Sequence, residues 1–465
     1  MDSVYLHSVK PIYLKEDTMP EKRELHKELN TLDVTAITAG IVIGAGLFVV
    51  TGIGARYAGS YVWVSYLIAA IPCFMVAFST SMLAQMYPVE SGESYVYPTR
   101  IVSHVWGFLS GWGMWLGVIG LVCVTAKAFI LYWNALPQFT AQIPIIGGAI
   151  IVLLVFGFLN YTGVKAVSVV QNVLFLFMVI GIIIYIVWGL RFVKSDLLFM
   201  KAPSGFNGIM KGASILIFAY TGLTLAADLG EEAKNPQKTI PRGMFLGVSV
   251  PTILYTLLAL VSVGVLSYDQ FSTADAPVAA AATQFMGKFG VTFIIIVAFA
   301  AILSSHNGEQ GIATRIAFGL SRDKIISGWF TNINKFGIPH FALFLSGAVA
   351  VFLIVSGTIQ LVGEILNSMF LFNWIITHLC IFMLPKKWPK MYADAKFKLN
   401  GWKMIVPVIG LLSSAVLLVY QGWRALAYSA VWLILGAIVY YIGLSRRKEE
   451  VKSLLGEWPY GRYFK

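Results

Sequence analysis

The chain has 465 residues, of which 58% are hydrophobic and only 12% are charged, and its formal net charge is +12. A water-soluble protein this apolar would lack the polar groups needed to cover its surface. The composition therefore excludes an ordinary soluble domain and predicts an integral membrane protein.

Hydrophobic runs define the predicted elements. Residues 1–29 are charged and contain no continuous apolar core of a signal peptide, so we expect a cytosolic tail. Runs of about 20 apolar residues then predict an all-α integral membrane protein with twelve transmembrane helices. These spans lie near 31–57, 60–87, 104–134, 143–160, 164–190, 207–230, 240–267, 278–306, 339–356, 359–384, 402–421 and 425–444. Residues 446–465 form a second charged tail.

The positive charges alternate between the two ends of these spans. Most of the 34 lysine and arginine residues fall in the two tails and in every second loop. The positive-inside rule places those segments in the cytosol. The opposite side holds Arg56, Arg191, Lys194, Lys201, Lys211, Lys288 and Arg424. The pattern predicts a multi-pass protein of the cell membrane with both termini cytosolic, and it accounts for the net charge without nucleic-acid binding.

The first span is interrupted by glycine. Its sequence TAGIVIGAGLFVVTG, residues 38–52, contains Gly40, Gly44, Gly46 and Gly52. Glycine weakens a helix, which is unexpected in a segment that must satisfy its backbone inside lipid. One interpretation is a deliberate break in the helix. The alternative is that Gly40 and Gly44 form a small-xxx-small surface for helix packing.

The sixth span carries a second interruption. Thr221–Gly222 breaks its apolar run, and Asp228, Glu231 and Glu232 follow before Asn235–Pro236. Two interrupted helices in corresponding positions of two halves are typical of inverted-repeat transporters. Unwound backbone presents free N–H groups that suit a carboxylate and free carbonyls that suit an ammonium group or a metal cation. A zwitterionic amino acid needs both.

Several dispersed motifs resemble those of the amino acid–polyamine–organocation (APC) superfamily of transporters. They are Ile43–Phe48 (IGAGLF), Tyr87–Tyr97 (YPVESGESYVY) with Gly111-Trp112, Phe218–Gly222 (FAYTG), Glu231–Pro236 (EEAKNP) with Ile240–Arg242, and Asn307–Asp323. The resemblance covers about residues 31–345, and the remainder is similar mainly in its hydropathy. It implies the 5+5 inverted-repeat, leucine-transporter-like fold with two additional C-terminal helices. The implied units are residues 30–200, 201–385 and 386–445.

The resemblance also implies a substrate site. The N–H groups of Ala45, Gly46 and Leu47 would bind the substrate carboxylate, and the carbonyls of Val42, Phe218 and Thr221 would bind its amino group. Phe218 would cover the substrate as a gate, beside Ala219. The side-chain end would be lined by Val118, Val122, Thr224, Ser305 and Glu309. Relatives often have a serine or threonine at Ala45, so one hydroxyl contact is missing here.

No cofactor is expected, but a coupling ion, Na⁺ or H⁺, is possible. Leu47 and Ala219 occupy the places where one sodium site of the fold needs polar side chains, so we expect that site to be absent. A second sodium site would use the carbonyls of Gly40 and Ile43 with Ala301, Ser304 and Ser305. The alternative is that the two serines only pack or bond back to their own helix. Substrate exchange without a coupling ion is a further alternative. Proton-coupled relatives have a lysine where this sequence has Met178, which argues against their mechanism here.

Two ionisable residues lie at membrane depth. Insertion of such a group costs about 2.5–3.5 kcal/mol, so each is a functional candidate. Glu309 follows Ser305 by one helical turn and should face the same site. It would bind a cationic substrate side chain, carry a proton, or pair internally with Lys127 or His306. Lys127 could instead extend toward the membrane surface. Glu364, Asn367, Asn373 and His378 are expected to form one structural network.

The favoured hypothesis is a secondary amino acid transporter, a symporter or an exchanger, with a preference for cationic substrates because of Glu309. No metalloprotease or serine-hydrolase motif appears, so an enzyme is not expected. A polyamine carrier is an alternative, although polyamines lack the carboxylate that the first break would bind. A permease-like nutrient sensor is another. Residues 134–143 contain no cysteine, so no disulfide-linked partner subunit is expected. The expected partners are the amino acid substrate and the lipid bilayer. The oligomeric state is not predicted.

Overall fold

A computed structural model describes residues 30–44, 46–86, 92–138, 141–162, 167–200, 202–224, 234–322, 326 and 328–446. Within these ranges the regular structure is helical, and the β-structure is limited to one isolated bridge between Ile333 and Pro339. The prediction of an all-α protein is confirmed.

Sixteen α-helices are described in these ranges. In chain order they are α1 Thr31–Val42, α2 Gly46–Ala58, α3 Val62–Met86, α4 His104–Asn134, α5 Ile145–Thr162, α6 Val167–Gly189, α7 Ser195–Leu198, α8 Gly205–Leu216, α9 Pro236–Val265, α10 Tyr268–Thr273, α11 Pro277–Arg322, α12 His340–Ser356, α13 Ile359–Lys387, α14 Pro389–Asp394, α15 Ile405–Val419 and α16 Trp423–Arg446.

Many of these helices can span a membrane. By length and composition, eight stretches of the described chain are long and apolar enough to cross a bilayer. They are Gly46–Met86, His104–Asn134, Ile145–Thr162, Gln237–Val265, Pro277–Ser321, Ile359–Lys387, Gly401–Val419 and Trp423–Ser445. Leu176–Phe192 and His340–Ser356 are shorter apolar helices. The membrane class is therefore supported directly, while the count of twelve spans stays a prediction.

One predicted boundary is clearly wrong. The eighth span was expected to end at residue 306, but α11 continues to Arg322. The hydropathy falls at His306, Asn307 and Glu309, which is why the apolar run appears to stop there. Their side chains find polar partners inside the bundle, so the helix continues without exposing them to lipid.

The helices form a bundle with a buried centre. Helix α4 packs against α11 and α13, α9 packs against α1 and α3, and α2 packs against α8. The lipid-facing side chains lie mainly on α5, α6, α15 and α16, where Leu154 is 62% exposed and Val419 is 70% exposed. A soluble protein would bury such residues, so these faces mark the surface that lipid covers. The three cysteines, Cys73, Cys123 and Cys380, are buried.

The polar residues of α13 do not form a single network, so that prediction is wrong. Glu364 accepts a hydrogen bond and ion pair from Lys211 of α8 at 2.7 Å. Asn373 donates to the hydroxyl of Ser110 on α4 at 2.7 Å, and His378 is hydrogen-bonded to Ser79 of α3. Asn367, one turn after Glu364, also donates to α8, at the carbonyls of Ser214 and Ile215. The four residues are thus divided among contacts with α8, α4 and α3.

Candidate functional site

The first span breaks between α1 and α2. Helix α1 ends at Val42, and Ile43 adopts an extended conformation with φ −77° and ψ 90°. The N–H of Ile43 still donates to the carbonyl of Ala39 at 2.7 Å, and Gly44 follows as a bend. Ala45, a predicted carboxylate contact, lies outside the described residues. Helix α2 then begins at Gly46.

The second break follows α8. After Leu216 the chain tightens into a 3₁₀ turn, Ile217–Tyr220, and Thr221 becomes extended with φ −61° and ψ 146°. The hydroxyl of Thr221 donates to the carbonyl of Phe218 at 2.6 Å. Gly222 has φ +93°, a left-handed conformation that favours glycine. The predicted acidic residues Asp228, Glu231 and Glu232 lie outside the described residues.

The two breaks are in close contact with each other. A Cβ added to Gly46 would lie 2.7 Å from the Cα of Ala219 and 2.9 Å from the Cδ1 of Phe218. A Cβ added to Gly44 would lie 2.2 Å from the Oγ of Ser305 on α11. Real Cβ atoms do not approach other atoms this closely. Three chain segments meet there, so a side chain at Gly46 would displace backbone, whereas one at Gly44 would displace the side chain of Ser305.

Tyr255 joins the two breaks. Its hydroxyl, on α9, contacts the carbonyl oxygen of Val42 at 2.8 Å and that of Ala219 at 3.1 Å. Both carbonyls are close to where helical hydrogen bonding stops. The one proton of the buried hydroxyl bonds to one of them at a time or is shared between the two. Tyr255 was not predicted as a site residue, because a tyrosine within an apolar helix has no distinctive sequence pattern.

A small cavity lies beside the breaks. Its volume is about 60 Å³, and its lining comprises Gly40, Val118, Leu121, Thr221, Gly222, Ser304, Ser305, Gly308, Glu309 and Ile312. The structure therefore brings together six residues that the sequence assigned to the substrate and sodium sites, from α1, α4, the second break and α11. The other four were not predicted, since three are apolar or glycine residues of ordinary helical character and Gly222 was noted only as a helix breaker.

Other predicted substrate residues in the described chain do not line this cavity. The carbonyl of Leu47 accepts a hydrogen bond from the hydroxyl of Thr51, and Leu47 is fully buried. Phe218 and Ala219 pack against Gly46. Thr224 is buried. Val122 lines a different cavity, an apolar groove of about 510 Å³ that also includes Leu154 and Phe344.

Glu309 is the ionisable residue in the lining of the cavity. Its Oε2 atom is 2.9 Å from the hydroxyl of Thr125, which is 2.8 Å from the Nδ1 atom of His306. The Nε2 atom of His306 is 3.0 Å from the carboxamide nitrogen of Gln310. If Gln310 donates to His306, His306 to Thr125 and Thr125 to Glu309, every proton has an acceptor. The carboxyl group of Glu309 then ends this series of hydrogen bonds, and no described residue is hydrogen-bonded to its Oε1 atom.

Lys127 does not pair with Glu309, so that alternative is wrong. Its ammonium group donates to the carbonyl of Gly357, in the connection between α12 and α13. Among the described residues, the ion pair formed is between Lys211 and Glu364. Glu309 therefore has a hydroxyl partner and no positive charge bound to it within the described chain.

The predicted sodium ligands lie near one another. Gly40, Ser304 and Ser305 line the cavity, and Ile43 is buried in the first break. The hydroxyl of Ser305 donates back to the carbonyl of Ala301 at 2.9 Å, as the alternative interpretation of this serine described. This bond uses one lone pair of the Ala301 carbonyl, so the sodium site stays a prediction.

Comparison with known proteins identifies relatives over nearly the whole chain. The family model described as amino acid permease matches residues 33–452. This confirms the APC resemblance drawn from the sequence motifs, including the C-terminal part where the motifs themselves were weak.

Individual relatives differ in what they carry. The branched-chain amino acid permease BcaP of Bacillus subtilis (strain 168) is 26% identical over 442 residues, covering 90% of this chain and 94% of its own length. The methylthioribose transporter of the same organism is 28% identical over 447 residues, covering 91% and 94%. The vacuolar cationic amino acid transporter 4 of Arabidopsis thaliana is 26% identical over 383 residues, covering 78% and 64%.

Proposed function

Because this chain belongs to the amino acid permease family, we propose that it carries an amino acid across the membrane by alternating access. The observation that carries the proposal is the close contact of two broken helices beside a cavity that contains Glu309. The breaks expose main-chain groups of both polarities, which a zwitterion needs. The residues that line the cavity would then determine which substrate side chain is accepted.

We propose that the architecture is the 5+5 inverted repeat with twelve spans and both termini cytosolic. If α1–α2 form the first span and α8 begins the sixth, spans five apart in the chain pack against each other: α2 with α8, α3 with α9, α4 with α11 and α5 with α12. A two-fold axis within the membrane plane would produce such pairing. The alternation of lysine and arginine along the chain supports the orientation.

The breaks supply the groups for the two charged ends of the substrate. The free N–H groups at the start of α2, near Gly46, lie at the positive end of a helix dipole and suit the carboxylate. The carbonyls near Val42 and Thr221 suit the ammonium group. Tyr255 already contacts Val42, and a carbonyl oxygen has a second lone pair for the substrate. A polyamine would leave the N–H groups without an anion.

Glu309 supports a preference for a cationic side chain. Its carboxylate lies at membrane depth, accepts one hydroxyl hydrogen bond and has no cationic partner among the described residues. A lysine, arginine or ornithine side chain would supply the missing charge. The remainder of the cavity, including Val118 and Ile312, is apolar and suits the methylene groups of such a side chain.

Transport would require the cavity to enlarge. A volume of about 60 Å³ is far below the ~300–1,000 Å³ typical of small-molecule sites. Segments on either side of the breaks must therefore move apart to admit an amino acid, and a broken helix allows its two halves to move separately. This motion is what distinguishes a carrier from a sensor that only binds.

The test is uptake by the purified full-length protein in lipid vesicles, with a panel of competing amino acids. We expect cationic amino acids to compete best, and we expect Glu309→Gln to abolish that preference while neutral amino acids still compete. Thr125→Val, which removes the hydrogen bond but leaves the carboxylate, is the matched variant and should keep the preference. If Glu309→Gln retained the original preference, the role in side-chain recognition would be excluded.

The same vesicles address the mode of transport and the rival functions. Counter-flow of labelled amino acid demonstrates carriage, whereas a sensor would bind without counter-flow. Faster uptake with an inward sodium gradient than in choline buffer would support the sodium site at Gly40, Ile43, Ala301, Ser304 and Ser305. Equal rates in the two buffers would eliminate sodium coupling and favour exchange or proton coupling.

A further inference from the structure

A second, larger cavity lies at one polar end of the bundle. Its volume is about 570 Å³, and it is formed by the end of α3, the start of α9 and the connection between α14 and α15. Lys238 and Arg242 of α9 and Lys396 of the connection line it. Lys238 and Arg242 are four residues apart, so they project from the same face of α9. We refer to this site as the basic cavity.

The three cations of the basic cavity are exposed, and none forms an ion pair with a described residue. Lys398, two residues after Lys396, differs because its ammonium group donates to the carbonyl of Ala393 at 2.5 Å. Glu231 and Glu232, the acidic residues nearest to Lys238 in the sequence, lie outside the described residues. Within the described chain, the basic cavity therefore concentrates three positive charges without a counter-charge.

Lys396 is held in position by its neighbours. The N–H of Phe397 donates to the carboxamide oxygen of Gln85 at 3.1 Å, and the carboxamide nitrogen of Gln85 donates to the carbonyl of Phe397. The N–H of Leu399 contacts the Sδ atom of Met82 at 3.3 Å. These bonds fix the connection against α3. The backbone that carries Lys396, the third cation of the basic cavity, is therefore fixed in place.

An aromatic wall extends from the basic cavity toward the membrane interior. The ring of Phe78 stacks on Phe245, with centroids 5.5 Å apart, and on Phe397, with centroids 6.4 Å apart. Phe74, one turn deeper in α3, lies 5.4 Å from Phe245. Phe245 is 41% exposed. The cations of the basic cavity and this apolar aromatic wall therefore form one continuous surface.

We propose that the basic cavity binds an anionic glycerophospholipid. Lys238, Arg242 and Lys396 would hold its phosphate, and an acyl chain would lie along Phe78 and Phe245. Basic pockets between helices at the membrane surface suit such head groups. A free phosphate ion shares the charge complementarity but would not use the aromatic wall, so the structure favours the lipid. This site is independent of the proposed substrate and of transport.

The test is native mass spectrometry of the full-length protein in detergent, titrated with phosphatidylglycerol or phosphatidylcholine. We expect retained phosphatidylglycerol adducts and few phosphatidylcholine adducts. The triple variant K238Q/R242Q/K396Q should lose this preference by more than about tenfold, since each cation near an anionic surface contributes about fivefold. The control K386Q/K387Q/K390Q removes the same charge from neighbouring exposed positions and should retain the preference.

Two further arms identify the source of the anion and the role of the wall. Inorganic phosphate should not displace phosphatidylglycerol, and F245A should weaken retention with all three charges intact. Displacement by phosphate, equal loss in both triple variants, or unchanged retention in the first triple variant would each overturn the proposal. If the triple variant failed to fold, K396Q alone, at an exposed loop position, should still reduce retention, and unchanged retention there would also overturn it.

Discussion

The small cavity beside the breaks and the cluster around Lys211 each contain a glutamate, but the two glutamates have different partners. Glu364 is bound to the ammonium group of Lys211 at 2.7 Å, and it also accepts from the carboxamide of Gln360 at 3.1 Å. Lys211 in turn donates to the carbonyls of Tyr420 and Gln421, at 2.9 Å each. Among the described residues, Glu309 is hydrogen-bonded to the hydroxyl of Thr125 alone.

This difference indicates a structural role for Glu364 and a functional role for Glu309. The Lys211 cluster joins α8, α13 and the turn between α15 and α16, and all the charge in it is compensated internally. A compensated pair has no need of a further ligand and serves to fix helices. Glu309 lines a cavity, and one of its oxygens forms no hydrogen bond with the described chain. An uncompensated carboxylate in such a place is suited to a charge that arrives and leaves.

The largest expected effect comes from filling the contact between the breaks. Gly46→Ala should reduce uptake by at least about tenfold, because the added methyl group meets the backbone of Ala219 and overpacking of this kind costs about 1–3 kcal/mol. Gly44→Ala should be milder, because its methyl group meets the rotatable hydroxyl of Ser305. Initial uptake rates in vesicles give both values.

Gly147→Ala is the matched control for these variants, since a Cβ there meets no atom within 4 Å. It should leave uptake unchanged. Equal loss in all three alanine variants would contradict the idea that the breaks act through close contact. A greater loss for Gly44→Ala than for Gly46→Ala would show that Ser305, rather than the second break, is the sensitive neighbour.

Removing one charge of the Lys211 cluster should mainly affect stability. Lys211→Met leaves Glu364 unpaired, which costs about 3–5 kcal/mol for a fully buried pair and less here, because the side chains are 18% and 11% exposed. We expect a lower apparent melting temperature in detergent. The double variant Lys211→Met/Glu364→Gln should recover part of the lost melting temperature. Lys194→Met, which replaces an exposed lysine, should leave the melting temperature unchanged.

If the cluster were instead part of the substrate site, Lys211→Met would change the competition profile of amino acids more than it changes the melting temperature. That result would remove the distinction between the two carboxylates. A double variant no more stable than Lys211→Met would show that the loss does not come from an unpaired charge.

The smallest effect is expected from Tyr255→Phe. It removes one hydroxyl that contacts two buried carbonyls, and loss of such a donor costs about 1–3 kcal/mol. We expect a few-fold reduction in uptake with a small decrease in melting temperature. Tyr185→Phe, which loses a buried hydroxyl contact to Ser262 away from the breaks, is the control for stability alone. Identical uptake in the two variants would argue against a role of Tyr255 at the breaks.

The breaks themselves were predictable from the sequence. Glycines at 44 and 46, and Thr221–Gly222 before Asn235–Pro236, are poor helix residues in segments that are otherwise apolar enough to span lipid. Local conformational preference and hydropathy both follow directly from the sequence. A stretch that is apolar enough to span lipid but contains poor helix residues can therefore be identified without a structure. Six of the ten cavity residues followed once the breaks had been aligned with the family motifs.

Contacts between distant segments were not predictable in this way. Lys211 was assigned to the outer side only by topology, and nothing in its sequence neighbourhood indicates Glu364, 153 residues later. The eighth span was ended at residue 306, although Glu309 was expected one helical turn after Ser305, because hydropathy cannot distinguish a polar residue that faces lipid from one that faces a partner. Tyr255 was missed for the same reason.

By itself the sequence determined that this protein lies in a membrane, that it is helical, and where two of its helices break, because these properties depend on composition and on short-range backbone preference. The tertiary structure alone decided which carboxylate is neutralised and which faces a cavity. Compensation of charge depends on which side chains meet across helices, and residues far apart in the chain meet only after the bundle has packed.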